Sequence, residues 1–88
     1  MAGNKAMELQ YRLSAAKQIK EIGTKDQKKV KGKILSLLEN PLEGKLLQGK
    51  LKGLRSLRAW PLRILYTFDP RSKTITIETV DYRGDVYK

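Results

Sequence analysis

The spacing between apolar residues changes along this chain, and the order of the spacings limits the folds available to it. Over residues 7–13 apolar and polar side chains alternate, which predicts a half-buried β-strand. From Ala15 to Leu38 the apolar residues recur at helical intervals. Three short runs with strand-like composition follow, over residues 54–60, 62–68 and 74–80.

Local signals divide the helical region into two helices. Ser14 is predicted to cap the first helix, and Gly23 to end it in the left-handed conformation. Thr24 and Gln27 have the spacing of a capping box, which predicts the start of the second helix. The Asn40-Pro41 pair ends that helix, because proline disfavours helical backbone in the residue before it. The segment from there to Gly53 is predicted to be a loop.

The predicted order is therefore β-α-α-β-β-β, an α+β fold in which the N-terminal strand and a helical hairpin pack on an antiparallel twisted sheet. A chain of 88 residues supplies one such core. Residues 7–88 are expected to form a single domain behind a flexible segment, residues 1–6. A cytoplasmic location is expected, because no run approaches the roughly 20 apolar residues that cross a bilayer and no signal peptide is visible.

Two absent residue types remove most familiar catalytic schemes. The chain contains no cysteine and no histidine. Disulfides, thiolate zinc sites, cysteine nucleophiles and imidazole catalysis are thereby excluded. The carboxylates in the first half of the chain are too scattered to suggest a metal site, so neither a metal nor another cofactor is expected.

The charge of the chain points to a polyanionic partner. It has 19 Lys and Arg against 9 Asp and Glu, a formal net charge of +10. Nucleic acid is the first expectation, ahead of an acidic protein or an anionic lipid surface. The helical lysines have acidic neighbours and are predicted to be a solvated face, with contact to nucleic acid as the alternative. Between residues 45 and 63 carboxylates are absent, and the basic residues there are Lys45, Lys50, Lys52, Arg55, Arg58 and Arg63.

Arg63 is the most informative of these cations. If Leu62 and Ile64 face the helices, the alternation of a strand directs Arg63 to the open face of the sheet. A guanidinium there suits a phosphate, because its planar fork can contact two oxygens at once. The alternative is an ion pair with Glu78 or Asp81 on a neighbouring strand.

Taken together, several sequence motifs resemble the RelE/ParE toxin superfamily. They are the element order, Asn40-Pro41, Leu51-Lys52-Gly53, the sequence LRILY at residues 62–66 and the sequence VDYRGDVY at residues 80–87. The resemblance covers residues 7–87. It implies a small bacterial or archaeal toxin, monomeric when free and hetero-oligomeric with a cognate antitoxin. Within that family, RelE-type members cleave mRNA in the ribosomal A site, whereas ParE-type members inhibit DNA gyrase.

The resemblance also implies a site and a reaction. Its catalytic positions correspond here to Lys52, Arg58, Arg63, Arg83 and Tyr87. The neighbouring residues expected to contact RNA are Lys45, Lys50, Arg55 and Trp60, although Trp60 could instead pack within its hairpin. The implied activity is ribosome-dependent endoribonuclease activity, in which the ribose 2′-OH attacks the scissile phosphate. The implied partners are mRNA and the 16S rRNA of the ribosome, with no cofactor and no membrane.

The sequence departs from the family pattern in three places. Ser56 replaces a basic residue that assists proton transfer in some relatives, residues 59–62 alter the usual hairpin, and Tyr82 replaces a histidine. These departures favour chemistry that depends on Lys, Arg and Tyr. A ParE-type gyrase inhibitor, a noncatalytic RNA-binding module and an inactive toxin are the alternatives.

Overall fold

The computed structural model describes residues 6–82, and these form an α+β fold of two helices on a five-stranded sheet. The elements are β1 (Glu8–Tyr11), α1 (Leu13–Glu21), α2 (Thr24–Leu37), β2 (Lys45–Leu46), β3 (Arg55–Ala59), β4 (Leu62–Asp69) and β5 (Thr74–Tyr82). The predicted fold class is confirmed. The predicted loop before β3 differs, because it contains β2 and a turn of 3-10 helix at Gly49–Leu51.

The strand order in the sheet is β1-β5-β4-β3-β2. β3, β4 and β5 pair antiparallel, as predicted, and β2 pairs antiparallel with β3, but β1 pairs parallel with β5 and makes the sheet mixed. The chain leaves β1 through both helices and re-enters at the opposite edge through β2, so a crossover, rather than a hairpin, separates the N-terminal strand from the rest. None of the helices within residues 6–82 is long and apolar enough to cross a membrane.

The helices cover one face of the sheet, and the core lies between the two layers. The buried core residues are Ala15, Ile19, Val30, Ile34 and Leu37 from the helices and Leu57, Ala59, Leu62, Ile64, Tyr66, Ile75, Ile77 and Val80 from the strands. On β4, alternation directs the even-numbered positions to the helices, which leaves Arg63 on the other face. We call that other side the open face.

A β-bulge in β5 adjusts which of its side chains reach the core. Leu65 pairs with Thr79, but the next residue, Tyr66, pairs with Ile77, so Glu78 is omitted from the ladder. The extra residue shifts the alternation by one, as bulges do. Hence Val80 is buried on the same side as Ile77 despite the odd spacing.

The helix boundaries differ from the sequence-based prediction in local detail. The extended residue at the start of α1 is Arg12, so the helix begins at Leu13, one residue before the predicted cap at Ser14. Gly23 has φ −64° and ψ 156°, which is extended rather than left-handed. It serves as the N-cap of α2, because the chain turns directly from one helix into the next.

The predicted capping box has a different role in the structure. Thr24 is already helical, and no side chain caps the start of α2. The Gln27 side chain instead reaches back to the end of α1, where its Nε2 donates to the carbonyls of Ile22 at 3.0 Å and Lys20 at 3.4 Å. The last carbonyls of a helix have no intrahelical partner, and Gln27 supplies one.

Candidate functional site

Two arginines face each other on the open face of the sheet. Arg58 of β3 is the ladder partner of Arg63 of β4, and Arg63 is in turn the partner of Asp81 of β5. Residues directly opposite in an antiparallel pair lie on the same face, and like charges in this position repel. The Asp81 carboxylate, opposite Arg63 on its other side, offsets part of this repulsion, and the guanidinium of Arg58 lies next to that of Arg63 on one face.

Ser56 contacts this arginine pair through a hydrogen bond with Arg63. Its side chain lies on the open face and is buried, and its Oγ accepts a hydrogen bond of 3.3 Å from Nη1 of Arg63. Of the two carboxylates considered as ion-pair partners for Arg63, Glu78 pairs instead with Arg12, at 3.0 Å from its Nε. Ser56 thus takes a structural position beside the arginine in place of the expected basic residue.

A cleft of about 400 Å³ opens beside the arginine pair, between residues of the open face and Lys33 of α2, and we call it the open-face cleft. It is lined by Lys33, Glu43, Lys45, Ser56, Leu57, Arg58 and Arg63. Four cations and one carboxylate are thus present around a space that can admit a phosphodiester. Among residues 6–82 no group of three or more His, Cys, Asp and Glu could hold a metal ion.

The wall of the cleft formed by Glu43 and Lys45 is tied to the rest of the protein through the residue between them. The Tyr66 hydroxyl accepts a hydrogen bond from the Gly44 amide at 2.8 Å and donates to the Pro41 carbonyl at 2.7 Å. Nη1 of Arg55 donates to the Gly44 carbonyl at 2.8 Å.

The phenol of Tyr66 remains protonated in this environment. Burial raises its pKa, and the nearby Glu43 carboxylate adds to that effect. The hydrogen bond from Gly44 and the positive charge of Arg55 oppose it and lower the pKa in part. Because the net direction is upward from 10.0, the hydroxyl keeps the proton that it donates to Pro41.

The structure brings three of the predicted site residues to the cleft: Lys45, Arg58 and Arg63. Four others lie elsewhere. Lys50 is in the 3-10 turn and Lys52 follows it, both exposed and outside the cleft lining. Arg55 is paired with Leu46 on the helix-covered side and bonds to loop carbonyls. Trp60 is 58% exposed in the β3–β4 turn, where its carbonyl accepts a 2.7 Å bond from Lys29 Nζ.

Arg83 and Tyr87, the two remaining residues implied by the family resemblance, lie outside the described residues. Sequence reasoning missed Glu43 and Lys33, which line the cleft. Glu43 precedes Lys45 by two positions, so its nearness in sequence to a predicted RNA contact was the available signal. For Lys33 no signal distinguished it from the other lysines of α2.

A second, mostly apolar groove of about 250 Å³ lies on the helix side. It is lined by Tyr11, Ala16, Ile19, Lys20 and Lys31. Burial raises the pKa of the Tyr11 phenol. This groove offers an apolar floor with ammonium groups beside it, a surface of different chemistry from the open-face cleft.

Comparison with known proteins places this architecture among toxins. A family model described as the ParE toxin of type II toxin–antitoxin systems, parDE, matches residues 9–87. No curated protein matches the chain. The chain is similar to a chain of the RelBE2 toxin–antitoxin complex from Mycobacterium tuberculosis, with a TM-score of 0.82 and 26% identity over 90% of this chain and 100% of that one.

Two further structures share the fold at lower identity. The intact RelBE toxin–antitoxin complex from E. coli matches with a TM-score of 0.74 and 19% identity, over 88% of this chain and 96% of that one. The YoeB/ParE toxin from Agrobacterium tumefaciens matches with a TM-score of 0.77 and 18% identity, over 88% of this chain and 99% of that one.

Proposed function

We propose that this chain, which belongs to the RelE/ParE superfamily of type II toxin–antitoxin toxins, is a ribosome-dependent endoribonuclease that cleaves mRNA in the A site. One observation carries the proposal. Arg58 and Arg63 oppose each other beside Lys45 in a single cleft. Paired guanidinium groups suit the phosphate of an RNA backbone better than a neutral ligand.

The proposed reaction is transesterification at one phosphodiester. The ribose 2′-oxygen forms a bond to phosphorus, the bond to the 5′-oxygen breaks, and the products carry a 2′,3′-cyclic phosphate and a 5′-hydroxyl. Arg58 and Arg63 stabilise the negative charge of the phosphorane. We assign acceptance of the 2′-OH proton to Glu43 and protonation of the leaving 5′-oxygen to Lys45, because both residues line the cleft. Without imidazole the site depends on the ribosome to orient the message.

The test is cleavage of mRNA on translating ribosomes by purified protein, with 5′ ends mapped by primer extension. Arg58→Ala and Arg63→Ala are each expected to lower the cleavage rate by about 100-fold or more, since each removes a group that stabilises the transition state. The matched control is Arg71→Ala, which removes the same charge from the exposed β4–β5 turn and is expected to cleave like the wild type.

Cleavage at wild-type rates by the Arg58→Ala/Arg63→Ala double variant would contradict the proposal. So would equal loss in Arg71→Ala, because that result would trace the effect to net charge rather than to the cleft. Persistent cleavage of free RNA without ribosomes would remove the ribosome from the mechanism.

Inhibition of DNA gyrase is the second candidate function. The observation that favours it is the family model itself, which describes the ParE toxin. A supercoiling assay with purified gyrase distinguishes the two. Inhibition of supercoiling together with intact mRNA on ribosomes would select the gyrase function, and the reverse result would select mRNA cleavage.

A cognate antitoxin is the proposed protein partner, since the similar M. tuberculosis and E. coli structures are toxin–antitoxin complexes. The net charge of +10 favours an acidic partner.

A further inference from the structure

We propose that Tyr66 is a positioning residue for the open-face cleft, although its ring lies on the opposite, helix-covered face of the sheet. The test of this inference by mRNA cleavage rests on the proposed function. Tyr66 acts through Gly44, the residue between Glu43 and Lys45. We call the Tyr66 hydroxyl and its two backbone partners, the Gly44 amide and the Pro41 carbonyl, the tyrosine clamp.

The geometry of the clamp is specific. Tyr66 is completely buried in the core, and its hydroxyl is the point at which β4 holds the loop before β2. The hydroxyl uses both its donor and its acceptor capacity on backbone groups of that loop, at 2.7 Å to Pro41 and 2.8 Å from Gly44. A neutral hydroxyl that both donates and accepts a hydrogen bond fixes the loop at two points, three residues apart.

Close packing at position 44 adds to these hydrogen bonds. A β-carbon built on Gly44 would lie 2.7 Å from Cε1 and 2.8 Å from the hydroxyl of Tyr66. The backbone therefore approaches the ring more closely than any residue with a side chain allows. Movement of the loop away from the ring would break both hydrogen bonds.

Two further contacts fix the direction in which the loop leaves the clamp. Arg55 donates to the Gly44 carbonyl at 2.8 Å, and Ser36 Oγ, which also contacts the Lys33 carbonyl at 2.6 Å, lies 3.1 Å from Glu43 Oε1. Lys45 then enters the sheet as the partner of Ser56. Glu43 and Lys45 are thereby held at the cleft by groups that do not line it, with the exception of Ser56.

The proposed roles of Glu43 and Lys45 make their position matter for the rate. Both are assigned proton transfers, whereas the phosphate is held by the arginines of β3 and β4. Displacement of proton-transfer groups by about 1 Å can lower a rate by about 100-fold. Loss of the clamp should therefore reduce kcat while KM, set by the arginines and the ribosome, changes little.

The first test uses Tyr66→Phe, which removes the hydroxyl and keeps the ring. Tyr11→Phe is the matched control, since it removes a phenol hydroxyl from the helix-side groove. On ribosomes, Tyr66→Phe is expected to lower kcat by about tenfold or more, with KM within about twofold. Tyr11→Phe should match the wild type.

A double-mutant cycle separates positioning from general loss of structure. If Tyr66 acts through Lys45 and Glu43, Tyr66→Phe adds little to the defect of a Lys45→Ala/Glu43→Ala variant. If Tyr66 only stabilises the fold, the fold-decrease in kcat of the triple variant is the product of the decreases caused by Tyr66→Phe and by the double variant. The expected result is that the triple variant is within about twofold of the double variant.

The inference is overturned if Tyr66→Phe cleaves like Tyr11→Phe, or if its effect is fully multiplicative in the cycle. If the wild type itself does not cleave, the proposed function fails, and the clamp is then judged by hydrogen exchange. Faster exchange of the Gly44 amide in Tyr66→Phe than in Tyr11→Phe supports the clamp, and equal exchange overturns it.

Discussion

At the scale of single residues, Gly44 and Gly32 give a direct comparison of what a methyl group does in two environments. A β-carbon at position 44 would meet Tyr66 at 2.7 Å and the Ser56 carbonyl at 3.1 Å, whereas at Gly32, inside α2, nothing lies within 4 Å. Gly44→Ala is expected to destabilise the protein by about 1–3 kcal/mol through overpacking. Gly32→Ala is expected to stabilise it by about 0.5–1 kcal/mol through helix propensity.

Urea denaturation followed by circular dichroism measures both free energies of unfolding. The Gly32 variant also controls for the general effect of a glycine replacement. Equal stability of the Gly44 variant and the wild type would mean that the loop can move away from Tyr66 without cost, which would contradict the close packing seen at this position.

Single-residue alternation predicted the place of Arg63 on the open face. The same rule puts Arg55 on the helix side, because it is an odd-numbered residue of β3 like the core residue Leu57. The prediction that Arg55 contacts RNA rested on its charge and did not consider its position in the strand. Charge alone does not say which face a side chain occupies, so the cleft could be predicted only where the register was applied.

At the scale of elements, the junction between the helices depends on Gln27. Its amide bonds to the carbonyls of Ile22 and Lys20 at the end of α1. Gln27→Ala leaves those carbonyls with one partner fewer, and we expect a loss of about 1 kcal/mol in the free energy of unfolding. Urea denaturation measures it. Gln48→Ala is the matched control, because the Gln48 side chain makes no capping bond, and it should be neutral.

A neutral Gln27→Ala would mean that water replaces the amide at no cost, and a large loss in Gln48→Ala would show that the loop before β3 is more sensitive than its exposure indicates. The first result would contradict the assignment of the helix junction to Gln27, and the second would disqualify Gln48→Ala as a control.

Elements with long periodic patterns were predictable, and short or irregular ones were not. The two helices and β3 to β5 follow from apolar spacing over five or more residues. β2 has two residues, too few for any period, and it exists because β3 offers an edge to pair with. The bulge at Glu78 and the parallel placement of β1 depend on contacts between distant segments, which spacing along the chain does not encode.

At the scale of the whole molecule, the charge is divided between two surfaces. The helices carry many lysines, whereas the open face concentrates Arg58, Arg63 and Lys45 in one cleft, joined by Lys33 from α2. The net charge of +10 does not tell these surfaces apart. Salt dependence does, because each neutralised phosphate contributes its own share of counterion release.

The dependence of RNA affinity on salt concentration reports how many phosphates the protein contacts. If single-stranded RNA is bound by the four cations of the cleft, the log of the association constant should fall against log salt with a slope of about −2.8. A slope of about −7 is expected if the whole net charge of +10 is engaged. Fluorescence anisotropy with a labelled oligonucleotide at several salt concentrations measures the slope.

Arg58→Gln/Arg63→Gln should make the slope less steep by about 1.4, since two phosphate contacts are lost. Lys17→Gln/Lys25→Gln, with the same change in net charge on the exposed faces of the helices, should leave it unaltered. A slope that responds to the lysine pair and not to the arginine pair would place RNA on the helices and remove the cleft from recognition.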